Sequence, residues 1–393
     1  VGIAEPYPWT FAAGGEVSEQ LTWLTDVLQA ATGPSQHRRL RTAPRTVLKF
    51  NGLESGRRRR WLESLLYAHG ARRWGAPLVM EAARLSSALP AATDTIVVDT
   101  TGRRFVAGGH ALLMQDDPAV FERVQITAVG GSSLTLASVT ARTWPAGSRV
   151  LPLRTARLQA VPSLSRFTGD AAPYQVEFRL EEPLEWPANA GPATYRTLPV
   201  LEIPPTWSTD PEWAPERQLT HVDNEVGIPA VFDVVGVPLG RQAMQVALVG
   251  PAALAAFRGL LFALCGRWGA IWVPTWAQDL QLVANVANGA TTLDVEGPML
   301  SATGLAINRR DVRIQLANGT VLYRRITAAA AQSASVDRLT LDTAIATGFS
   351  ASAVASVSFM ALCRQDTDVN LLRHWSCDVV LSELSFRAVA NDV

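Results

Sequence analysis

The feature that most constrains this chain is an internal echo. The segment Arg60-Trp61-Leu62-Glu63-Ser64-Leu65-Leu66-Tyr67-Ala68-His69-Gly70-Ala71-Arg72-Arg73-Trp74-Gly75-Ala76 is answered by Ala256-Phe257-Arg258-Gly259-Leu260-Leu261-Phe262-Ala263-Leu264-Cys265-Gly266-Arg267-Trp268-Gly269-Ala270, with a short gap before Arg267. The correspondence continues in the same order. Thr95-Ile96-Val97-Val98-Asp99 matches Thr292-Leu293-Asp294-Val295-Glu296, and Gln125-Ile126-Thr127-Ala128 matches Arg325-Ile326-Thr327-Ala328. Each half then closes on a polar strand, Val176-Glu177-Phe178-Arg179 in the first and Leu384-Ser385-Phe386-Arg387 in the second. Solenoid units run about 20–50 residues, so a period this long points to two globular copies.

Two copies of about 195 residues each can bury a sizeable core. Within each, an alternating strand precedes one amphipathic helix. Val47-Leu48-Lys49-Phe50 leads to a helix with an apolar stripe at Trp61, Leu62, Leu65 and Leu66. Met244, Val246 and Leu248 lead to one striped by Leu254, Phe257, Leu261 and Leu264. Pro251 suits a helix start, and Gly70 and Gly266 suit helix ends. Short alternating runs follow, broken by turn signals at Gly108-Gly109, Gly130-Gly131, Asn288-Gly289 and Asn318-Gly319. About five strands in roughly 75 residues read as a small closed barrel or a compact sandwich.

The expected fold is therefore mainly β with a few helices (α+β). It is a tandem duplication of a β-sandwich-plus-helix domain, each copy carrying an inserted small β-barrel-like module. The first repeat spans residues 1–182 with its insert at about 85–155, and the second spans 217–393 with its insert at about 280–363. Residues 183–216 hold eight prolines, from Pro183 to Pro215, and read as a stiff connector pinned to a surface by Trp186, Trp207 and Trp213.

Formal net charge is zero, so no global field draws the chain to nucleic acid or to an anionic membrane. The halves differ in sign: residues 1–196 hold 22 basic against 17 acidic side chains, and residues 197–393 hold 13 against 18, which suits head-to-tail packing in a ring. The charged fraction, 18%, is low for a globular chain and fits a surface partly covered by partners. Cys265, Cys363 and Cys377 are too few for a disulfide framework and read as buried free thiols. No apolar run is long enough for a membrane span, and the first residues do not form a signal peptide, so synthesis in the cytosol without cleaved-signal secretion is expected.

Catalytic signatures are missing from the sequence. It has no phosphate-cradling glycine loop, GxSxG elbow or HExxH pair, and His37, His69, His110, His221 and His374 are scattered. No cofactor, no metal and no enzymatic activity are expected. The run Arg57-Arg58-Arg59-Arg60 could contact phosphates. In so neutral a chain it reads better as the first turn of a helix on a solvated or inter-subunit face. Trp272 and Trp276 could stack on sugar, but aromatic anchors between a sheet and a helix, or between subunits, explain them as well.

The run Leu260-Leu261-Phe262-Ala263-Leu264-Cys265-Gly266-Arg267-Trp268-Gly269-Ala270-Ile271-Trp272-Val273-Pro274-Thr275-Trp276 resembles the helix and following strand of tail-tip (distal tail or hub-adjacent) proteins of long-tailed bacteriophages. In that family an Arg-rich helix end leads into a strand of the form W-x-P-[ST]-W. The first copy keeps Arg73-Trp74-Gly75 but has Pro77-Leu78-Val79 where the second has its tryptophans. The resemblance implies a structural protein of the tail tip or baseplate. It would form a ring that connects the tail tube to the hub or receptor-binding tip and lines the channel through which DNA passes. Implied partners are the tube and hub proteins and further copies of the chain, as a trimer whose doubled subunits give six similar lobes, or as a hexamer. The implied location is the tail tip of the virion, assembled in the host cytoplasm. On this reading Trp74, Trp268, Trp272 and Trp276 belong to domain cores or interfaces, and Arg57, Arg58, Arg59 and Arg60 to a subunit boundary or the channel wall. The alternative is a glycan- or receptor-binding adhesin module of the tail.

Overall fold

The computed structural model describes residues 6–11, 13–30, 33–166 and 168–390. Strands cover 47% of it and helices 10%, so the chain is mainly β, and each long helix has a sheet to lie on. In the first half the central strand Arg45–Ser55 alternates strictly, with Thr46, Leu48, Phe50, Gly52 and Glu54 turned inward. That period of two is what a strand with one buried face requires. It pairs antiparallel with Ala171–Leu180, which pairs with Arg149–Leu158, which in turn pairs with Trp74–Pro77. In the second half Leu239–Val249 pairs with Val379–Ala388, then Val354–Gln365, then Ala270–Pro274.

The first helix, α1 (Gly56–His69), follows directly from its strand and ends at Gly70, whose φ of 54° suits glycine and whose N–H closes on the Leu66 carbonyl. Its buried face is Arg59, Leu62, Leu65, Leu66 and His69. Leu62, Leu65 and Leu66 of the expected stripe are buried, but its first member, Trp61, is 42% exposed, and Arg59 takes an inner place. Arg59 can do so because Glu63 meets its guanidinium at 2.7 Å and the Asp170 carbonyl accepts from it at 3.0 Å. The second helix, α2 (Pro251–Leu264), buries Leu254, Phe257, Leu261 and Leu264 at the spacing its sequence set, and it starts on Pro251. It ends one residue before the expected Gly266, at Cys265, which adopts the left-handed conformation with φ 50°.

The inserted modules are open ladders, and no closed barrel is formed among the described residues. The first runs in the order Thr95–Val97, Ser133–Leu136, Phe121–Val129, His110–Met114, Arg149–Leu158. The second runs Ala290–Glu296, Val336–Ile345, Val321–Ser333, Asp311–Leu316, Val354–Gln365. Bends and register shifts near Ile126 and Ile326 curl each ladder around its own apolar cluster, centred on Ile96, Ile126 and Trp144 or on Leu293, Ile326 and Phe359. Single bridges, Leu89 to Trp144 and Val286 to Phe349, tie the mouths.

The two halves share one hydrogen-bonded sheet. The strand Val17–Thr22 is paired on both edges, to Arg45–Ser55 of the first half and to Val369–His374 of the second. The connector after residue 183 is pinned along the second half. Trp186 donates to the Ala255 carbonyl at 3.1 Å, the Leu201 N–H donates to the Trp272 carbonyl at 2.9 Å, and Tyr195 donates to Asp311 at 2.7 Å. Its end, Glu212–Glu216, is a strand paired with Leu239–Val249.

One close approach gives a direct check on the first-half core. A Cβ on Gly52 would lie 2.2 Å from the ring of Tyr174, its partner across the ladder, and that ring is held by Trp9 at a centroid distance of 5.8 Å. Gly52→Val should therefore lower the unfolding free energy by about 1–3 kcal/mol in chemical denaturation. Leu53→Val at the exposed neighbouring position should stay within about 0.5 kcal/mol.

Candidate functional site

The sequence-selected residues do not converge on one site. Trp74 is fully buried in the first-half core, edge-on to His69 at 4.5 Å and to Trp9 at 5.4 Å, and its indole N–H donates to the Gly70 carbonyl. Trp272 is buried against Tyr195 at 5.1 Å. Trp276 is half-buried beneath the Arg313 guanidinium at 4.9 Å, and Trp268 lies 36% exposed under Arg39 at 4.7 Å. With Trp272 only 3% exposed, Trp272 and Trp276 do not form the exposed stacking pair that sugar binding needs.

The arginine run divides. Arg57, Arg58 and Arg60 are exposed and border a shallow groove of about 380 Å³ with Trp61 and Asp117, whereas Arg59 is turned into the core. Cys265 and Cys363 are buried as expected, and burial pushes both thiols above their ordinary pKa. Cys377 is exposed, because it lies in the turn after Val369–His374 and not in a strand.

The densest chemistry lies where the halves meet, and no local pattern announced it. Glu19, on the doubly paired strand, has no exposed surface. Its carboxylate meets Arg258 of α2 at 2.9 Å, the Arg104 guanidinium at close range, and His374 Nε2 at 3.3 Å. Glu81 completes the cluster, 2.8 Å from Arg258 and 2.6 Å from Arg104, and also accepts from the Arg104 backbone N–H at 2.7 Å. Trp186 of the connector lies 5.6 Å from the Arg258 guanidinium. Two carboxylates and two guanidiniums balance, so these charges are buried as a neutral set. Burial alone would raise both carboxyls, but Arg104 and Arg258 outweigh it, and His374 adds to their effect at Glu19. Glu19 sits well below its ordinary value of 4.5, and Glu81 is lowered too.

Every carboxylate oxygen of the cluster is already engaged, by a guanidinium, by His374 or, at Glu81 Oε2, by the Arg104 backbone N–H, so none is free to accept a substrate proton. The neighbouring cleft, about 220 Å³, is bordered by Phe11, Met80, His374 and Trp375, and its histidine is already engaged with Glu19. Among the described residues no group of His, Cys, Asp and Glu side chains is placed to hold a metal ion, and no helix is long and apolar enough to cross a membrane. No protein-family model matches this chain, and no curated protein matches it.

The signs of the carboxyl shifts fix a pH dependence. Both folded-state values lie below 4.5, so the stabilisation is complete above that pH and is lost as pH falls through the lowered values. Glu19→Gln leaves Arg104 and Arg258 to share the single carboxylate of Glu81 and should cost about 3–5 kcal/mol near neutral pH. The gap to the parent should narrow on acidification, as protonation removes the parent's advantage. Thermal melts from neutral to acid pH read this, and a gap constant with pH would rule it out. The divided arginine run gives a second contrast: Arg59→Ala should cost about 1–3 kcal/mol and Arg58→Ala no more than about 0.5 kcal/mol.

Proposed function

We propose that this chain is a structural protein of the tail tip or baseplate of a long-tailed bacteriophage. It forms a ring that joins the tail tube to the hub or receptor-binding tip and lines the channel for DNA. The chain is read as a tandem duplication whose two copies are the repeating lobes of that ring. The observation that carries this reading is the order of strand pairing. In each half a long strand enters a helix, pairs with the last strand of the half, and carries an open ladder inserted between the helix and that last strand. Two lobes fused side by side by one strand are half-way to a closed ring, and the opposite charge of the halves favours head-to-tail contact. Three such chains give six similar lobes with three-fold symmetry, which suits a junction between a six-fold tube and a three-fold tip. A six-chain ring is the rival. Tube and hub proteins are the neighbours, the virion tail tip is the location, and assembly takes place in the host cytoplasm.

A glycan- or receptor-binding module of the tail is the second reading. The tryptophans that favour it are Trp207 and Trp375, 67% and 66% exposed. The absolute mass of the purified chain, with class averages by electron microscopy, separates the two. A ring of three subunits and six lobes is expected. A compact monomer that binds sugar, and loses that binding in Trp207→Ala or Trp375→Ala, would replace the ring reading with the adhesin.

A further inference from the structure

We infer that the seam joining the two halves within one chain is repeated between chains. The edge strand Glu212–Glu216 of one copy adds to the segment 160–166 of the next. The inference rests on the ring reading and names the contact that closes it.

Val17–Thr22 and Glu212–Glu216 hold the same station in their halves, each paired antiparallel with the strand that enters the helix. Glu19 lies opposite Leu48, and Glu212 opposite Ala243; both partners lie eight residues before the first residue of their helix. The two glutamates therefore correspond. The outer edge of Val17–Thr22 is filled by Val369–His374. The outer edge of Glu212–Glu216 pairs with nothing among the described residues, and Glu212 is exposed.

The counterpart of Val369–His374 is also present. Arg373 pairs with Leu381 on the last strand of the second half, and Leu164 bridges to Tyr174 on the last strand of the first. Leu381 and Tyr174 lie opposite Ala247 and Gly52, each four residues before its helix. Residues 160–165 thus stand where Val369–His374 stands, with Val161 62% exposed and no strand on their outer side. Copying the internal register puts Glu212 opposite Ser163 and Ala214 opposite Val161. Arg166, 61% exposed and held by Glu63 at 2.9 Å, then lies near Asp210 and Glu212.

The hairpins give a second, independent observation. Between Val17–Thr22 and its long strand lies the hairpin Thr25–Gln29 with Ser35–Arg39, which lies on the second half. The Thr25 N–H donates to Asp368 at 2.7 Å, and Arg39 covers Trp268. The corresponding hairpin, Leu219–Val222 with Ala230–Asp233, has no such surface beneath it: Val226 and Ile228 are 93% and 98% exposed, and Phe232 is 56% exposed. A two-stranded hairpin is marginal in water without a surface to lie on, and an exposed apolar patch of this kind marks an interface. Counted from the first residue of each helix, the positions of a neighbouring copy equivalent to Arg267 and Trp268 are the exposed Arg72 and Arg73, one residue before the pair that the sequence echo aligns with them, and the hairpin carries Asp223, Glu225 and Asp233 to meet them. Strand addition supplies main-chain hydrogen bonds, and the hairpin supplies apolar burial and matched charge. Pro211 and Pro215 remove donors from the edge, which disfavours indiscriminate pairing.

The test places Glu212→Cys and Ser163→Cys on one chain, in a Cys377→Ser background, under mild oxidation. Paired strands bring such residues within disulfide reach, so covalent multimers should exceed those of either single variant by about tenfold or more. On the parent chain, hydrogen exchange at residues 212–216 and 161–166 should slow by about tenfold or more on assembly, which reads the seam without any substitution. Rings seen by mass with neither the cross-link nor the protection would overturn this seam and leave the ring reading standing. A chain that stays monomeric and unprotected at every concentration would overturn both.

Discussion

The structure depends on one strand being bonded on both sides and on a charge cluster placed behind it. Val17–Thr22 supplies hydrogen bonds to both halves, and Glu19 on that strand draws Arg104 from the first half and Arg258 from the second to a single carboxylate. Without that carboxylate, Arg258 on the buried side of an otherwise apolar helix would be a desolvated cation with only Glu81 left to oppose it. Coulombic attraction between buried partners roughly offsets their desolvation, so the cluster adds little net stability over a well-packed apolar junction. Its contribution is selectivity: a half rotated or shifted by one residue leaves at least one of four charges buried and unpaired.

Around that junction the remaining elements are conventional. Each half builds its own core, one rich in aromatic edges around Trp9, Trp74 and Phe178, the other dominated by the aliphatic face of α2. The inserted ladders curl around separate clusters, and the first reaches the junction through the loop that carries Arg104. The connector closes the back of the cluster with Trp186 and then becomes the second half's outer strand. Residues distant in sequence thus meet at the seam, while the hairpin at Leu219–Asp233 stays bare.

Much of this was legible in the chain because it is written as local period. The stripe of α2, the alternation of Arg45–Ser55 and the glycine at the end of α1 follow from side-chain spacing and backbone sterics, and these are visible within a dozen residues. The misplacement of Trp61 shows the limit: hydropathy puts tryptophan inside and arginine outside, but Arg59 is reached by Glu63 and a carbonyl from a distant strand, and that reverses the order. The ion cluster was not legible, because Glu19, Glu81, Arg104, Arg258 and His374 share no spacing and are assembled only by the fold. The bare hairpin at Leu219–Asp233 was not legible, since nothing in the local pattern of its apolar side chains says that no core covers them. The open inserts read as a small closed barrel or a compact sandwich because strand count and turn spacing do not separate these from an open ladder, and closure depends on how the first and last strands lie in space.

The double pairing of Val17–Thr22 also sets an order of events in time. Glu19 and His374 are 355 residues apart, so the outer edge of this strand has no partner until synthesis has passed His374. At about 5–20 residues per second, that is a wait of roughly 18–70 s. From the synthesis of Arg104 to that of Arg258 the first half can hold Glu19 next to Glu81 and Arg104 alone, and His374 completes the set last. The same exposed edge and half-filled cluster are what a second nascent chain would meet, so synthesis on closely spaced ribosomes creates competition between the chain's own last strands and those of its neighbour.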